Sequence, residues 1–150
     1  NNVIIGRQNI EKYKSNLATV KIKNAIKESE SVISLFDVKT PNTNTLATAL
    51  SGGNQQKFVV GRELEDDPSL LIASQPTRGI DIGAQSLIWE KLRESRDNGL
   101  AVLLISADLE ELIGLSDRII VFYQGSMVKE LNSANLSPED LGGYMTGLKK

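Results

Sequence analysis

The sequence predicts an α/β fold in which a helical segment is followed by a mostly parallel sheet with flanking helices. Up to about residue 66, apolar side chains recur at helical spacing. Beyond it, short apolar runs alternate with amphipathic segments, a pattern typical of strands buried between helices. Three such strands and a hairpin are a thin core for a parallel architecture. We therefore expect residues 1–150 to be an incomplete domain, with a change of organisation near residue 66.

The first part predicts two helices joined by a loop. Over 20–36, the apolar residues lie on one stripe and the lysines and glutamates lie opposite. Residues 37–49 predict a loop, because Pro41 stands among asparagines and threonines. A second helix is predicted from near Ser51 to about Glu65, where Asp66-Asp67-Pro68 ends it.

The second part predicts alternating strands and helices, each bounded by polar residues or by a glycine turn. Leu70–Ala73 is expected to be a buried strand, and the next helix is expected to end at Asn98-Gly99. The remaining predicted elements are helix Ile82–Asp97, strand Ala101–Ser106, helix Leu109–Leu115, strand Arg118–Tyr123, a turn at Gln124-Gly125, strand Met127–Leu131 and helix Pro138–Met145.

Composition excludes several classes of chemistry. The chain has no cysteine and no histidine, so Ser-His-Asp or Cys-His nucleophile systems and zinc sites built from thiolates or imidazoles are excluded. An average composition of 40% hydrophobic and 24% charged residues indicates a globular protein. No apolar run reaches the length of a membrane span, and the first residues do not resemble a signal peptide. We expect a cytoplasmic protein.

Charge is distributed unevenly along the chain. Residues 1–27 carry six basic residues and one acidic residue, a net charge of +5, whereas the whole chain carries −2. Such a basic segment suits nucleic acid or lipid headgroups. Because only Tyr13 supplies an aromatic ring there, a solvated helix face is the favoured interpretation.

Leu50 to Lys57, LSGGNQQK, places two glycines at the start of a predicted helix. The free N–H groups of a first helical turn and the helix dipole favour an anion, and Ser51 adds a hydroxyl donor. Taken alone, the stretch is also explained by a turn and an N-cap.

The order of motifs along the chain resembles the ATP-binding subunits of ABC transporters over essentially its whole length. Leu50 to Gln56 is similar to that family's signature sequence, Leu70 to Thr77 to its Walker B strand, Asp81 to its D-loop aspartate, and Leu103 to Asp108 to its switch-histidine segment. Asn54 and QPTRGIDIGA are most similar to the second nucleotide-binding half of the duplicated ATPases of simple-sugar and nucleoside importers. The resemblance implies a partial P-loop NTPase domain: residues 1–66 as helical subdomain with the signature helix, 67–150 as the C-terminal part of the ATPase core.

Three departures from the family pattern fall in one site. Ser74 and Gln75 stand where hydrolysing members carry an aspartate for Mg²⁺ and a glutamate for water, and Ala107 replaces the histidine. A hydroxyl lacks the negative charge that favours Mg²⁺, and an amide accepts no proton, although a glutamine is able to orient water. No Gly-Lys pair, and hence no Walker A loop, occurs in the sequence. We expect a C-terminal fragment that by itself neither binds ATP tightly nor hydrolyses it, with no catalytic residue and no metal ligand of its own.

The resemblance further implies a role across an ATPase dimer. Ser51, Gly52, Gly53, Asn54 and Gln55 would contact ATP bound with Mg²⁺ on the other ATPase half, an N-terminal part of the same polypeptide, and Asp81 would contact that half or cap a helix. Permease subunits and, indirectly, a solute-binding protein are the implied partners, at the inner face of the cell membrane, without nucleic acid. Alternatives are an ABC-type ATPase of DNA repair or translation, whose usual long insertions do not interrupt this chain, and a non-catalytic scaffold.

The remaining polar and aromatic residues predict ordinary structural roles. Trp89 is expected to be a half-buried core residue rather than a partner contact. The acidic pairs Glu110-Glu111 and Asp66-Asp67 lie at a helix start and a helix end, so we expect solvated caps.

Overall fold

The protein is described by a computed structural model over residues 2–14 and 19–149. Every predicted helix and strand is present, with bounds within two residues of those expected. In chain order the elements are α1 (Ile22–Leu35), α2 (Gly52–Leu64), β1 (Leu70–Ser74), α3 (Ile82–Asp97), β2 (Ala101–Ile105), α4 (Leu109–Leu115), β3 (Arg118–Tyr123), β4 (Ser126–Asn132) and α5 (Pro138–Met145). Two short 3₁₀ turns, Asn2–Ile4 and Ala47–Ala49, precede α1 and α2. No helix in these ranges is long and apolar enough to cross a membrane.

Side-chain N-caps explain why four of the five α-helices in the described residues begin where they do. Ser51, Asp81, Asp108 and Ser137 precede α2, α3, α4 and α5, and each accepts a hydrogen bond from the backbone N–H three residues further on. Each cap satisfies one of the N–H groups that have no partner within the helix. The local sequence alone therefore fixes these starts.

The strands form two separate pairs. β1 and β2 are parallel and in register from Leu70 opposite Ala101 to Ser74 opposite Ile105. β3 pairs antiparallel with β4, with an irregularity between Val121 and Phe122. The expected sheet of three strands and a hairpin is therefore divided in the described residues, and a groove of about 500 Å³ lies between β2 and β3.

The expectation that β1 and β2 are fully buried is wrong. Paired residues of a parallel sheet project from the same face. One face of the β1–β2 pair carries four large apolar side chains at about half exposure: Leu70 (52%), Ile72 (61%), Leu103 (52%) and Ile105 (49%). On the opposite face, Ala73 is buried and Leu71 packs against the core. Among the described residues, helices and loops therefore cover one face of this strand pair and leave the other face open.

Two cores position the functional segments. The first is formed where α1, α2 and α3 meet, by Phe36, Val38, Val60, Ile88 and Leu92. The second joins α4, β3 and α5 through Leu112, Ile119, Val121 and Leu141. Because the first core includes residues on both sides of position 66, the helical segment and the α/β segment pack directly against one another.

The solvated helix face expected for the basic residues of 1–27 is present in part: Lys23 and Lys27 are exposed on α1, whereas Arg7 is neither helical nor solvated. Residues 2–14 form turns, and the Arg7 side chain is only 11% exposed. Arg7 Nη1 lies 3.5 Å from Glu28 Oε1 and 3.0 Å from Asp66 Oδ2, and Lys12 also pairs with Glu28. Asp66, expected to be a solvated cap, therefore belongs to an ion cluster that joins this segment to α1 and to the end of α2.

Gly61 allows α2 to approach α1 closely, and we predict that Gly61→Ala lowers the free energy of unfolding by about 1 to 3 kcal/mol. A methyl group on Gly61 would lie 2.6 Å from Phe36 Cδ2 and 2.8 Å from Val32 Cγ1. This overlap outweighs the higher helix propensity of alanine.

Gly142 of α5 is the matched control, because a methyl group there meets only Leu109 Cδ1 at 3.8 Å. Gly142→Ala is expected to leave stability unchanged or to raise it by up to about 1 kcal/mol. Urea unfolding of both variants checks the pair, and equal effects would contradict the packing argument.

Candidate functional site

The first turn of α2 is built by Ser51 and Asn54. Ser51 Oγ accepts hydrogen bonds from the Asn54 backbone N–H at 3.4 Å and from Asn54 Nδ2 at 2.9 Å. Asn54 Oδ1 in turn accepts from the Lys39 N–H at 2.8 Å, so that loop 37–49 is tied to the helix start. Ser51 retains its own hydroxyl proton, which is free to donate outward.

The two glycines of this turn have different surroundings. A methyl group on Gly52 would meet nothing within 4 Å, and Gly52 is exposed. A methyl group on Gly53 would lie 2.9 Å from Asp81 Oδ2 and 3.0 Å from Ala84 Cβ, because α3 begins against this turn. Gly53 is therefore required by packing within the chain, whereas Gly52 leaves the helix start open to an approaching group.

Asp81 is the N-cap of α3, the alternative that the sequence left open. Its Oδ1 accepts the Ala84 N–H at 2.9 Å, and this hydrogen bond lowers the pKa of the carboxyl below its usual value. Asp81 is also exposed, and its second oxygen lies beside Gly53. The carboxylate thus links the starts of α2 and α3.

Ser74, Gln75 and Ala107 lie at one edge of the parallel pair, where the carboxyl ends of β1 and β2 meet. Ser74 is opposite Ile105, and the Gln75 N–H donates to the Ile105 carbonyl at 2.8 Å. Gln75 has φ +51°, a left-handed conformation that a residue with a Cβ adopts at some cost. Backbone strain of this kind is concentrated at functional sites.

The side chains at this edge are poor Mg²⁺ ligands. Hard divalent cations prefer carboxylate oxygens, and Ser74, Gln75 and Ala107 supply a hydroxyl, an amide and a methyl group. Within the described ranges, no group of three or more acidic residues is arranged to hold a metal ion. These residues do not fit a resident Mg²⁺.

Glu111 was missed by the sequence analysis, which placed it in a solvated acidic pair. Its neighbour Glu110 is exposed as expected, but Glu111 is 1% exposed. One carboxylate oxygen, Oε1, accepts both the Thr77 hydroxyl at 2.5 Å and the Trp89 indole N–H at 3.2 Å. Trp89 is half-buried, as predicted. The local sequence of a helix start carries no signal for such a long-range contact.

Comparison with curated proteins identifies clear relatives, although no protein-family model matches the chain. Over 121 residues, 81% of this chain, it is 50% identical to the guanosine import ATP-binding protein NupO of Bacillus subtilis. Over 136 residues it is 38% identical to the ribose import ATP-binding protein RbsA of Clostridium tetani. The chain belongs to the ABC transporter ATP-binding protein family.

Solved ABC cassettes share the fold. The dimeric bacterial ABC transporter cassette MJ0796 superposes with a TM-score of 0.65 over 77% of this chain and 50% of its own, at 22% identity. Its post-hydrolysis dimer, bound to ADP and phosphate, gives 0.68 over 87% of this chain and 56% of its own, at 20% identity. The predicted α/β fold of a partial ABC-type P-loop domain is confirmed.

The chain spans about a quarter of the curated relatives that it matches, 24% of NupO and 27% of RbsA. These relatives contain much that lies outside residues 1–150. The activity, substrates and partners of a whole ABC protein containing this chain are therefore proposals.

We predict that Gly53→Ala destabilises the start of α2, lowering the free energy of unfolding by about 1 kcal/mol, because the new methyl group displaces α3. Gly52→Ala, one residue away in the same turn, has open space and is expected to have no such effect. Thermal unfolding compares the two variants. Similar losses at both positions would contradict the packing argument, because helix propensity alone favours alanine over glycine.

Proposed function

We propose that this chain is part of the ATP-binding, energy-coupling subunit of an importer for simple sugars or nucleosides. The names of its relatives support this class of substrate, because they describe import of guanosine, ribose and nucleosides. A subunit of this kind works at the inner face of the cell membrane, held there by permease subunits. The solute-binding protein is an indirect partner, and nucleic acid is not expected to be one.

The first turn of α2 is proposed to contact ATP bound on another ATPase half, which we expect to precede this chain in the same polypeptide. The observation that carries this proposal is the open helix start. Gly52 leaves room for close approach, the Gly52 and Gly53 N–H groups have no partner within the helix, and the Ser51 hydroxyl is free to donate. Preorganised donors and a helix dipole stabilise phosphate charge as a bond to the γ-phosphate breaks. Asn54 and Gln55 complete the segment, with Asn54 fixing its shape.

The nucleotide site at Ser74 and Gln75 is proposed to bind ATP without efficient turnover, whereas the ATP held with Mg²⁺ on the other half is the one hydrolysed. Ser74 and Gln75 provide neither the negative charge nor the proton acceptor that hydrolysis requires, and Ala107 provides no hydrogen bond to phosphate. The dimer is then asymmetric. Hydrolysis takes place on the other half, and Asp81 lies at the seam between the halves.

The sharpest test replaces the open glycine in the full-length protein. Gly52→Leu is expected to lower kcat for ATP hydrolysis roughly 100-fold, because the side chain keeps phosphate away from the helix donors. Ser51→Ala removes a donor and a cap, so a smaller loss is expected.

The matched control is the double variant Ser74→Asp with Gln75→Glu, which places the two Walker B acids of hydrolysing family members in this chain's own site. It is expected to change kcat little. Steady-state ATPase assays measure both. Normal hydrolysis by Gly52→Leu, or a large gain from the restored acids, would contradict the asymmetric assignment. Equal inactivity of all forms, including the wild type, would favour a non-catalytic scaffold.

A further inference from the structure

We infer that Glu111 is a positioning residue: through Thr77 and Trp89 it holds loop 75–81 and α3 against the first turn of α2. The observation behind this inference is a carboxylate that is 1% exposed and has two long-range hydrogen-bond donors. The inference deepens the proposed function, because α2 begins with the segment proposed to meet ATP.

Glu111 is held in place from its own helix. It lies in the first turn of α4, and its backbone N–H donates to the N-cap Asp108 at 3.0 Å. Asp108 is in turn tied to the end of β2, since its N–H donates to Ser106 Oγ at 3.0 Å. Through Asp108, the first turn of α4 and its Glu111 are thus anchored to the carboxyl end of β2.

From this anchor the carboxylate reaches two other elements. Thr77, 8% exposed, lies in the middle of loop 75–81, and its hydroxyl donates to Oε1. Trp89, on α3, donates its indole N–H to the same oxygen. Hydrogen bonds to a charged acceptor are stronger than neutral ones, and a buried donor that loses its partner is unfavourable, so both elements are held firmly.

Loop 75–81 ends at the contact with α2. Asp81 caps α3 and, together with Ala84, fills the space beside Gly53. Movement of Thr77 away from Glu111 would therefore shift the surface on which the first turn of α2 rests. This path connects the carboxyl ends of β1 and β2 to the proposed ATP-facing segment.

The test uses the full-length protein and a pair of substitutions at Thr77. Thr77→Val keeps the shape and removes the hydroxyl, whereas Thr77→Ser keeps the hydroxyl. Glu111→Gln weakens the acceptor without changing its size, and Glu110→Gln removes the same charge from the exposed neighbour as a control.

The first measurement is hydrogen exchange without nucleotide. Thr77→Val and Glu111→Gln are expected to raise exchange about fivefold in segments 74–81 and 51–57, the effect of one lost or weakened hydrogen bond, and to leave β3 and β4 unchanged. Thr77→Ser and Glu110→Gln are expected to match the wild type. Unchanged exchange in 51–57, or an equal rise throughout the chain, would overturn the inference; if Thr77→Val does not fold, Glu111→Gln decides.

The second measurement is ATP hydrolysis. Thr77→Val is expected to lower kcat about fivefold with KM for ATP unchanged, because ATP is held mainly by the other half, and Thr77→Ser is expected to restore kcat. Wild-type kcat in Thr77→Val would overturn the inference. A wild-type protein without ATPase activity would instead refute the proposed function, and hydrogen exchange would still decide the role of Glu111.

Discussion

The close approach of α2 to its neighbours is the constraint on which the rest of the structure depends. Gly61 brings the helix against Phe36 and Val32 on the side of α1, and Gly53 brings its start against Asp81 and Ala84 of α3. The interior between these helices is closely packed, so neither glycine has room for a methyl group. The position of the helix start, and therefore of Ser51 and Gly52, follows from packing on both sides.

Two buried carboxylates secure this arrangement at opposite ends. Glu111 fixes loop 75–81 and α3, as described above. Glu28 of α1 is 3% exposed and pairs with Arg7 and Lys12 of the N-terminal segment. Tyr13 is fully buried in a small cluster with Val3, Ile4 and Ala25, and burial raises the pKa of its hydroxyl. Charged groups inside a protein need partners, so each carboxylate fixes the segments that supply its partners.

Much of the fold was predictable because its determinants are local. Serine and aspartate are typical N-cap residues, and they precede four of the helices, at Ser51, Asp81, Asp108 and Ser137. Short apolar runs likewise indicate the strands. The order of motifs gave the family, which the relatives confirm. The roles of Ser51 to Gln55, Asp81, Ser74, Gln75 and Ala107 stay predictions, although the structure places the last three at one sheet edge and the Asp81 cap beside Gly53.

What sequence reasoning missed depends on residues far apart in the chain. Glu111 looks like any acid in a first helical turn until Thr77, 34 positions away, is seen to donate to it. Arg7 looks solvated until Asp66 approaches it. The expectation of buried strands failed for a related reason, because burial requires a second layer and hydrophobicity alone does not supply one.

Because β2 and β3 are not paired with each other in the part of the chain that the structure describes, a polypeptide of this sequence has two open strand edges that favour self-association. Each strand keeps a row of main-chain donors and acceptors on the side away from its partner, and Leu103, Ile105, Ile120 and Phe122 expose apolar surface beside them. Open edges next to apolar side chains are templates for pairing between molecules. Self-association in concentrated samples would then begin at these two strands, and a lysine or proline placed there would suppress it.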